Sequence, residues 1–165
     1  IAKEKGYKSD KELDDFLESI KDTPDQFKYD REIDEKILKM SYQPNVLVDS
    51  KVFAALATIK RIPCTVKIWL NADLETRVRR TLHKSGQVDL AVDLPKDHAL
   101  YKETMSDLMR RHSNDMNRYQ KLYGIDYDNP KRYNDIVLDS SRLDAHRTFN
   151  LILKRIEDGR YLEQK

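Results

Sequence analysis

Residues 65–84, TVKIWLNADLETRVRRTLHK, predict a strand, a turn and a helix in immediate succession. The run over 65–70 is apolar and partly β-branched, which is typical of a strand. Asn71-Ala72-Asp73 then supplies a turn and a helix cap, and residues 74–84 continue as a predicted helix. A strand that leads directly into a helix is a building block of α/β proteins.

Two other short runs predict further strands of the same kind, NVLVDS at 45–50 and DIVLDS at 135–140. Neither alternates apolar with polar residues, as expected for parallel strands covered on both faces. We therefore predict an α/β fold with a parallel sheet and flanking helices. Ligands of such sheets bind at the carboxyl ends of the strands, where Asp49-Ser50 and Asp139-Ser140 lie. The alternative is that both pairs simply cap helices.

Helical patterns fill most of the remaining chain. Ser9 and Glu12 form a capping box before a predicted helix over 13–20, and Thr23-Pro24 opens a second one with a candidate break near Tyr29. Further helices are predicted over 51–60, over 100–123 with a stop at Gly124, and from about 144 to the carboxyl end. The expected apolar stripes are Met105, Leu108, Met109, His112, Met116, Tyr119 and Tyr123 on the longest helix, and Phe149, Ile152, Leu153 and Ile156 on the last one.

Composition excludes several classes of protein. The formal net charge of +2 is too small for a protein that coats a nucleic acid polymer. The one cysteine, Cys64, precludes an internal disulfide and is expected to be a buried structural thiol, and the four histidines show no zinc spacing. With no apolar run of membrane-spanning length and no signal-peptide pattern, we expect a cytoplasmic protein that binds neither membrane nor nucleic acid.

The longest predicted helix carries a charged triplet, Arg111, Asp115 and Arg118. On a helical wheel the three cluster at the border between the apolar stripe and solvent, with the two arginines about 10 Å apart along the axis. Two guanidinium groups in that arrangement can hold phosphates, and the carboxylate between them can orient them or accept from a sugar hydroxyl. The alternative is a pair of solvated salt bridges worth a few tenths of a kcal/mol each.

Cations from three separate segments could surround one cleft at the strand ends. Arginine suits bidentate recognition of phosphate, and phosphoryl transfer depends on positioning and charge rather than on a protein nucleophile. The five candidates are Lys51, Arg77, Arg80, Arg111 and Arg118.

VKIWLNADLETRVRR at 66–80 and RHSNDMNRYQKLYGIDYDNPKRYNDIVLDSS at 111–141 resemble the cytidylate kinases, especially the archaeal-type branch. The first stretch is similar to a strand, a small loop and a helix of the form L-E-x-R-x-x-R. The second is similar to the family's R-x-x-x-D-x-x-R-Y and Y-G-I-D motifs, followed by a last strand that ends in a hydroxyl residue. The likeness spans nearly the whole chain, although the first 45 residues match loosely.

The resemblance implies a nucleoside monophosphate kinase that transfers the terminal phosphate of ATP to CMP or dCMP with Mg²⁺, and we expect a monomer. It implies that Arg111 and Arg118 contact phosphates, that Asp115 contacts the ribose of the monophosphate, and that Arg77 and Arg80 bind ATP. Arg80 is the better candidate for its phosphates. The catalytic set would then be Arg80, Arg111 and Arg118.

The resemblance also assigns roles to the end of the strand predicted at 45–50. Asp49 would lie near magnesium through water, and Lys51 would bind substrate where the family has an arginine. A lysine keeps the charge and loses the guanidinium fork, so the preference for CMP is open. Residues 1–44 would form the monophosphate-binding helical region and 83–100 the lid of a single domain over 1–165.

The chain contains no G-x-x-x-x-G-K-[ST] loop, because its glycines lie only at positions 6, 86, 124 and 159. Ile1 and the helical character of IAKEKG favour a fragment that lacks the first strand and P-loop over a degenerate relative. That strand lies mid-sheet in this fold. We therefore predict that the strands at 46–49 and 65–70 do not pair and lie a strand's width apart, and that the fragment alone is poorly stable.

Three other functions remain open on the sequence. The chain could be a non-catalytic module that binds nucleotides, an interaction domain whose charged helices dock a partner, or another small-molecule kinase of the same architecture.

Overall fold

The computed structural model of the chain describes residues 12, 16, 19–20, 23–86 and 94–162. The chain forms two compact units, Ile1–Phe53 and Ala54–Lys165. The opening IAKEKG and most of the helix predicted at 13–20 lie outside the described residues, although positions 12, 16 and 19 are helical.

Helix α1 of the first unit, Pro24–Met40, begins with the predicted proline in its first turn. The Thr23 side chain makes no capping bond, because its hydroxyl donates instead to the carbonyl of Ile20. The predicted break near Tyr29 is wrong. The helix runs through this position without interruption and buries Asp34 and Leu38.

The strand predicted at 45–50 is not formed. Residues 46–50 have no regular secondary structure, and the Leu47 side chain is 92 % exposed. A strand is stabilised by the hydrogen bonds of a partner strand, and the sheet formed by the described residues consists of two other segments, 68–71 and 136–139. Because 46–49 form no strand, the prediction that these two strands lie unpaired, a strand's width apart, stays a prediction.

The sheet of the second unit consists of β1, Ile68–Asn71, and β2, Ile136–Asp139, which pair in parallel with Ile68 opposite Ile136. Both strands were predicted at their places in the sequence, and their parallel pairing confirms the α/β class. Helix α2, Phe53–Ile59, precedes β1.

Helices α3, Leu74–Lys84, and α4, Ala99–Tyr123, form a hydrophobic core cluster in this unit. Val78 and Leu82 of α3 are fully buried against Tyr101 of α4. Leu94 packs against the same cluster, so the chain returns to this core just before α4. Of the lid predicted at 83–100, residues 87–93 lie outside the described residues, and the lid stays a prediction.

The apolar stripe predicted on α4 needs correction at Met109, whose side chain is 55 % exposed, while Tyr101 is buried without having been predicted. Gly124 ends the helix as expected. Its φ of +66° is the left-handed conformation that glycine adopts most readily, and its N–H donates to carbonyls of the last turn.

Helix α5, Ala145–Asp158, begins at Asp144, whose side chain accepts from the Arg147 N–H. Phe149 and Leu153 were predicted to face inward and are 56 % and 41 % exposed. The described sheet has only two strands, which is too narrow a surface to cover the whole apolar face of a helix.

Cys64 is half-buried in the loop before β1, rather than buried in a strand. Burial raises the pKa of its thiol, as expected for a structural rather than a nucleophilic cysteine. No helix among the described residues is long and apolar enough to cross a membrane.

Candidate active site

Asp115 and Arg118 form the most buried ion pair that the structure shows on α4. One Arg118 nitrogen donates to the Asp115 carboxylate at 2.7 Å, and the two side chains are 23 % and 13 % exposed. The same nitrogen donates to the Tyr119 hydroxyl at 3.1 Å, and the guanidinium carbon lies 4.9 Å from the centre of the Tyr119 ring. These contacts hold the guanidinium group in one orientation at the border between core and solvent, which is where the helical wheel placed it.

Arg111 does not join this pair. Its guanidinium group lies 3.5 Å from the Asp107 carboxylate, which Arg110 also contacts at 3.1 Å, and the Arg111 side chain is 64 % exposed. The predicted triplet thus divides into a held pair and a separate, solvated one, and the phosphate contact expected of Arg111 stays a prediction.

Tyr127 lies at the centre of an aromatic cluster that joins α4 to the sheet. Its ring is edge-on to Trp69 of β1, with ring centres 5.2 Å apart, and lies 5.3 Å from Tyr119 and 5.8 Å from His112. His112 is held in turn by Asp128 at 2.9 Å. Aromatic pairs at such separations stabilise by about 0.5–1.5 kcal/mol beyond the area they bury. The cluster therefore fixes the segment after Gly124 against both α4 and β1.

Three predicted site residues act on Tyr127 from two different helices. Burial, the largest cause, and the Asp115 carboxylate together raise the pKa of the Tyr127 phenol to about 12. The positive charges of Arg77, on α3, and of Arg118 act in the opposite direction. The structure thus brings Arg77, Asp115 and Arg118 within electrostatic reach of one phenol, at the place where α3, α4 and β1 meet.

Arg80 has well-defined hydrogen bonds of its own. Its guanidinium group donates to the Ser140 hydroxyl at 3.0 Å and to the carbonyls of Ser140 and Leu143 at 2.7 and 3.1 Å. Ser140 is buried, and its hydroxyl donates to the Asn71 carbonyl at the end of β1. In this arrangement Arg80 ties α3 to the carboxyl ends of both strands, and its predicted contact with ATP phosphates stays a prediction.

The carboxyl ends of the strands carry two exposed aspartates. Asp73 caps α3 by accepting from the Thr76 N–H at 2.7 Å, and Asp139 accepts from the Ser141 N–H at 2.8 Å. Hydrogen bonds to their charged forms lower the pKa of both carboxyls. Asp139-Ser140 is therefore not a helix cap, because Asp144 caps α5 instead.

Asp49 and Lys51 belong to the first unit, and both are exposed. Between them, the Ser50 hydroxyl accepts from the N–H groups of Val52 and Phe53 at 3.3 Å, as a cap of α2 does. No group of three or more acidic, histidine or cysteine side chains among the described residues could hold a metal ion. A single exposed carboxylate does not form a resident metal site, and the contact of Asp49 with magnesium through water stays a prediction.

The sequence interpretation missed Tyr127 and Trp69 and assigned Tyr119 only to the core. A usable signal was present, because the left-handed turn at Gly124 reverses the chain and returns Tyr127 towards the helix that it follows. The packing of the Tyr127 ring on Trp69 depends on tertiary structure, so no local sequence pattern predicts it.

Comparison with known proteins gives consistent relatives. The chain is 30 % identical over 158 residues to the cytidylate kinase of Methanocaldococcus jannaschii. The matched region covers 96 % of this chain and 78 % of that protein. It is 27 % identical to the cytidylate kinase of Methanopyrus kandleri, over 95 % of this chain and 74 % of the relative. Cytidylate kinase 2 of Borreliella afzelii is 25 % identical over 81 % of this chain and 66 % of its own length. No protein-family model and no solved structure matches the chain.

Proposed function

Because the chain belongs to the cytidylate kinase family, we propose that the protein it represents transfers the terminal phosphate of ATP to CMP or dCMP. The observation that carries this proposal is the partly buried Asp115–Arg118 pair on α4, which with Arg77 of α3 lies within electrostatic reach of Tyr127. Cations on two helices, next to a carboxylate and at the edge of a sheet, suit a nucleotide and its phosphates.

The chemistry requires little of the protein beyond positioning and charge. An ionised phosphate oxygen of the monophosphate forms a bond to the γ-phosphorus of ATP while the bond from that phosphorus to the β-phosphate oxygen breaks, leaving CDP and ADP. Magnesium enters with ATP as part of the substrate and neutralises phosphate charge, with Asp49 proposed to contact its water shell.

Each predicted residue has a place in the proposal. Arg118, held by Asp115 and Tyr119, contacts the phosphate of the acceptor, and Asp115 contacts its sugar. Arg77 and Arg80 bind ATP. Arg111, exposed and next to Asp107, can turn to a phosphate at small energetic cost, since exposed ion pairs contribute little.

Lys51 is also proposed to bind the acceptor. The lysine would supply charge without the two parallel hydrogen bonds of an arginine, so it recognises a phosphate or a carbonyl oxygen less selectively. We further propose that the chain is one part of a protein whose other part supplies the P-loop, which is consistent with relatives that extend beyond the matched region.

The test is a coupled assay of ADP formation by the whole encoded protein, expressed from its native start codon, with Mg²⁺-ATP and each nucleoside monophosphate in turn. We expect turnover with CMP and dCMP, and Arg118→Met should lower kcat/KM about 100-fold, as loss of a transition-state donor commonly does. The kcat/KM of Arg118→Lys should lie between the values for the wild type and for Arg118→Met.

Arg155→Met, in the last turn of α5, removes an exposed arginine as a control and should leave kcat/KM unchanged. Absence of turnover with every monophosphate would refute the proposal. Calorimetric binding of CMP without any turnover would instead support the non-catalytic nucleotide-binding module.

A further inference from the structure

The Tyr127 side chain combines a fixed ring with an uncommitted hydroxyl. Three rings, those of Trp69, Tyr119 and His112, surround it at 5.2–5.8 Å between centres. The Tyr127 hydroxyl has no hydrogen-bond partner among the described residues. Its oxygen is also not one of the fully buried polar atoms that lack a partner. The hydroxyl is therefore available to a ligand, on a ring that its aromatic neighbours hold in place.

The charges around this hydroxyl limit what it can bind. A phenol with a pKa of about 12 keeps its proton at physiological pH and can donate it. The nearby Asp115 carboxylate only accepts hydrogen bonds and disfavours an anion. A ligand group that binds both side chains must accept a hydrogen bond from the phenol and donate one to the carboxylate. A single alcohol hydroxyl can do both.

We propose that Tyr127 is a specificity residue whose hydroxyl donates to a sugar hydroxyl of the acceptor nucleotide, while that sugar hydroxyl donates to Asp115. This inference rests on the proposed kinase function. It assigns the phosphate of the acceptor to Arg118 and its sugar to the pair Tyr127 and Asp115. Tyr127 packs on the Tyr119 ring with 5.3 Å between ring centres, and one Arg118 nitrogen bonds both the Tyr119 hydroxyl and the Asp115 carboxylate.

The substitution Tyr127→Phe removes the hydroxyl and keeps the ring that packs on Trp69. In the whole encoded protein, kcat/KM is measured with CMP, with dCMP and with 2′,3′-dideoxy-CMP. Loss of one neutral hydrogen bond should lower kcat/KM for CMP about 3- to 10-fold and leave the value for the dideoxynucleotide unchanged. The KM for ATP should not change.

The dCMP result identifies which sugar hydroxyl is bound. If Tyr127→Phe also lowers kcat/KM for dCMP, the contact is to the 3′-hydroxyl; if it lowers kcat/KM only for CMP, the contact is to the 2′-hydroxyl. Tyr161→Phe, beyond the end of α5, is the matched control and should leave all three values unchanged. Thermal unfolding of each variant establishes that it folds.

Two results would overturn the inference while leaving the kinase function intact. One is an unchanged kcat/KM for CMP in Tyr127→Phe, and the other is an equal loss with all three acceptors, which indicates a structural role. A wild-type protein that turns over no monophosphate refutes the proposed function instead, and this inference with it.

Discussion

Two arginines seven residues apart on α4 have different environments and should have different energetic weights. Arg118 is mostly buried and bonds to a carboxylate and a phenol, so its truncation leaves buried groups without partners. Arg111 is mostly exposed and its ion pair is screened by water. Helical spacing predicted that both lie at the border of the core, and it also places Asp107 one turn before Arg111, a pair that the sequence interpretation did not consider.

Tyr127 gives a prediction at high pH. Its pKa is raised from 10 to about 12 in the folded chain, so its contribution to stability is fully present below pH 10 and is lost as the pH rises through about 12. The unfolding free energy of the wild type should therefore fall more steeply above pH 10 than that of Tyr127→Phe. The difference should stay below about 1.4 kcal/mol per pH unit, the limit for one proton, because the group is partly screened by solvent.

Urea titrations at several pH values between 9 and 11.5 measure this difference. Parallel pH dependence in the two proteins would show that the phenol of Tyr127 is not perturbed.

The secondary-structure elements differ in how far local sequence defines them. Helix α3 has a capping aspartate at its start and a histidine and a lysine in its last turn, and its bounds were predicted correctly. The segment at 45–50 has strand-forming residues, but a strand also needs a partner to accept its hydrogen bonds, which no local pattern supplies. The exposed apolar stripe on α5 has the same cause. Its apolar residues have helical spacing, but the surface that would cover them comes from distant parts of the chain, which the local sequence does not show.

The cap of α3 can be tested by substitution and by acid. Asp73→Ala should lower the unfolding temperature by roughly 2–4 °C, whereas Asp73→Ser keeps an oxygen that accepts from the Thr76 N–H and should lower it less. The pKa of Asp73 is lowered from 3.8, so the stabilisation by its charge is present above that pH and is lost as the pH falls through the lowered value.

Scanning calorimetry from pH 7 to pH 2 checks both points. The advantage of the wild type over Asp73→Ser should shrink as the carboxyl takes up its proton, and an advantage that persists unchanged to pH 2 would contradict a role for the charge.

At the scale of the whole molecule, the second unit holds the paired strands and the core cluster around Val78, while residues 46–50 lie in the first unit without regular structure. The sequence predicted the α/β class and the pairing-competent strands because each has its own apolar run. It could not predict the division into two units, since that depends on which surfaces meet.

Amide hydrogen exchange measured by mass spectrometry should reproduce this division. Peptides that cover 136–140 should exchange roughly 100-fold more slowly than peptides that cover 45–50, because only the former are held in a strand ladder. Equal protection of 45–50 and 136–140 would mean that the first segment does form a strand in solution.

The Ser140 hydroxyl, which links Asn71 and Arg80, has a consequence for the kinetics of folding. Its two partners are 69 and 60 residues away along the chain, so the junction can form only after a long loop has closed. Contacts of this kind commonly mature after the rate-limiting barrier has been crossed. Removing the hydroxyl should then shorten the lifetime of the native state while leaving the speed at which it is regained nearly constant.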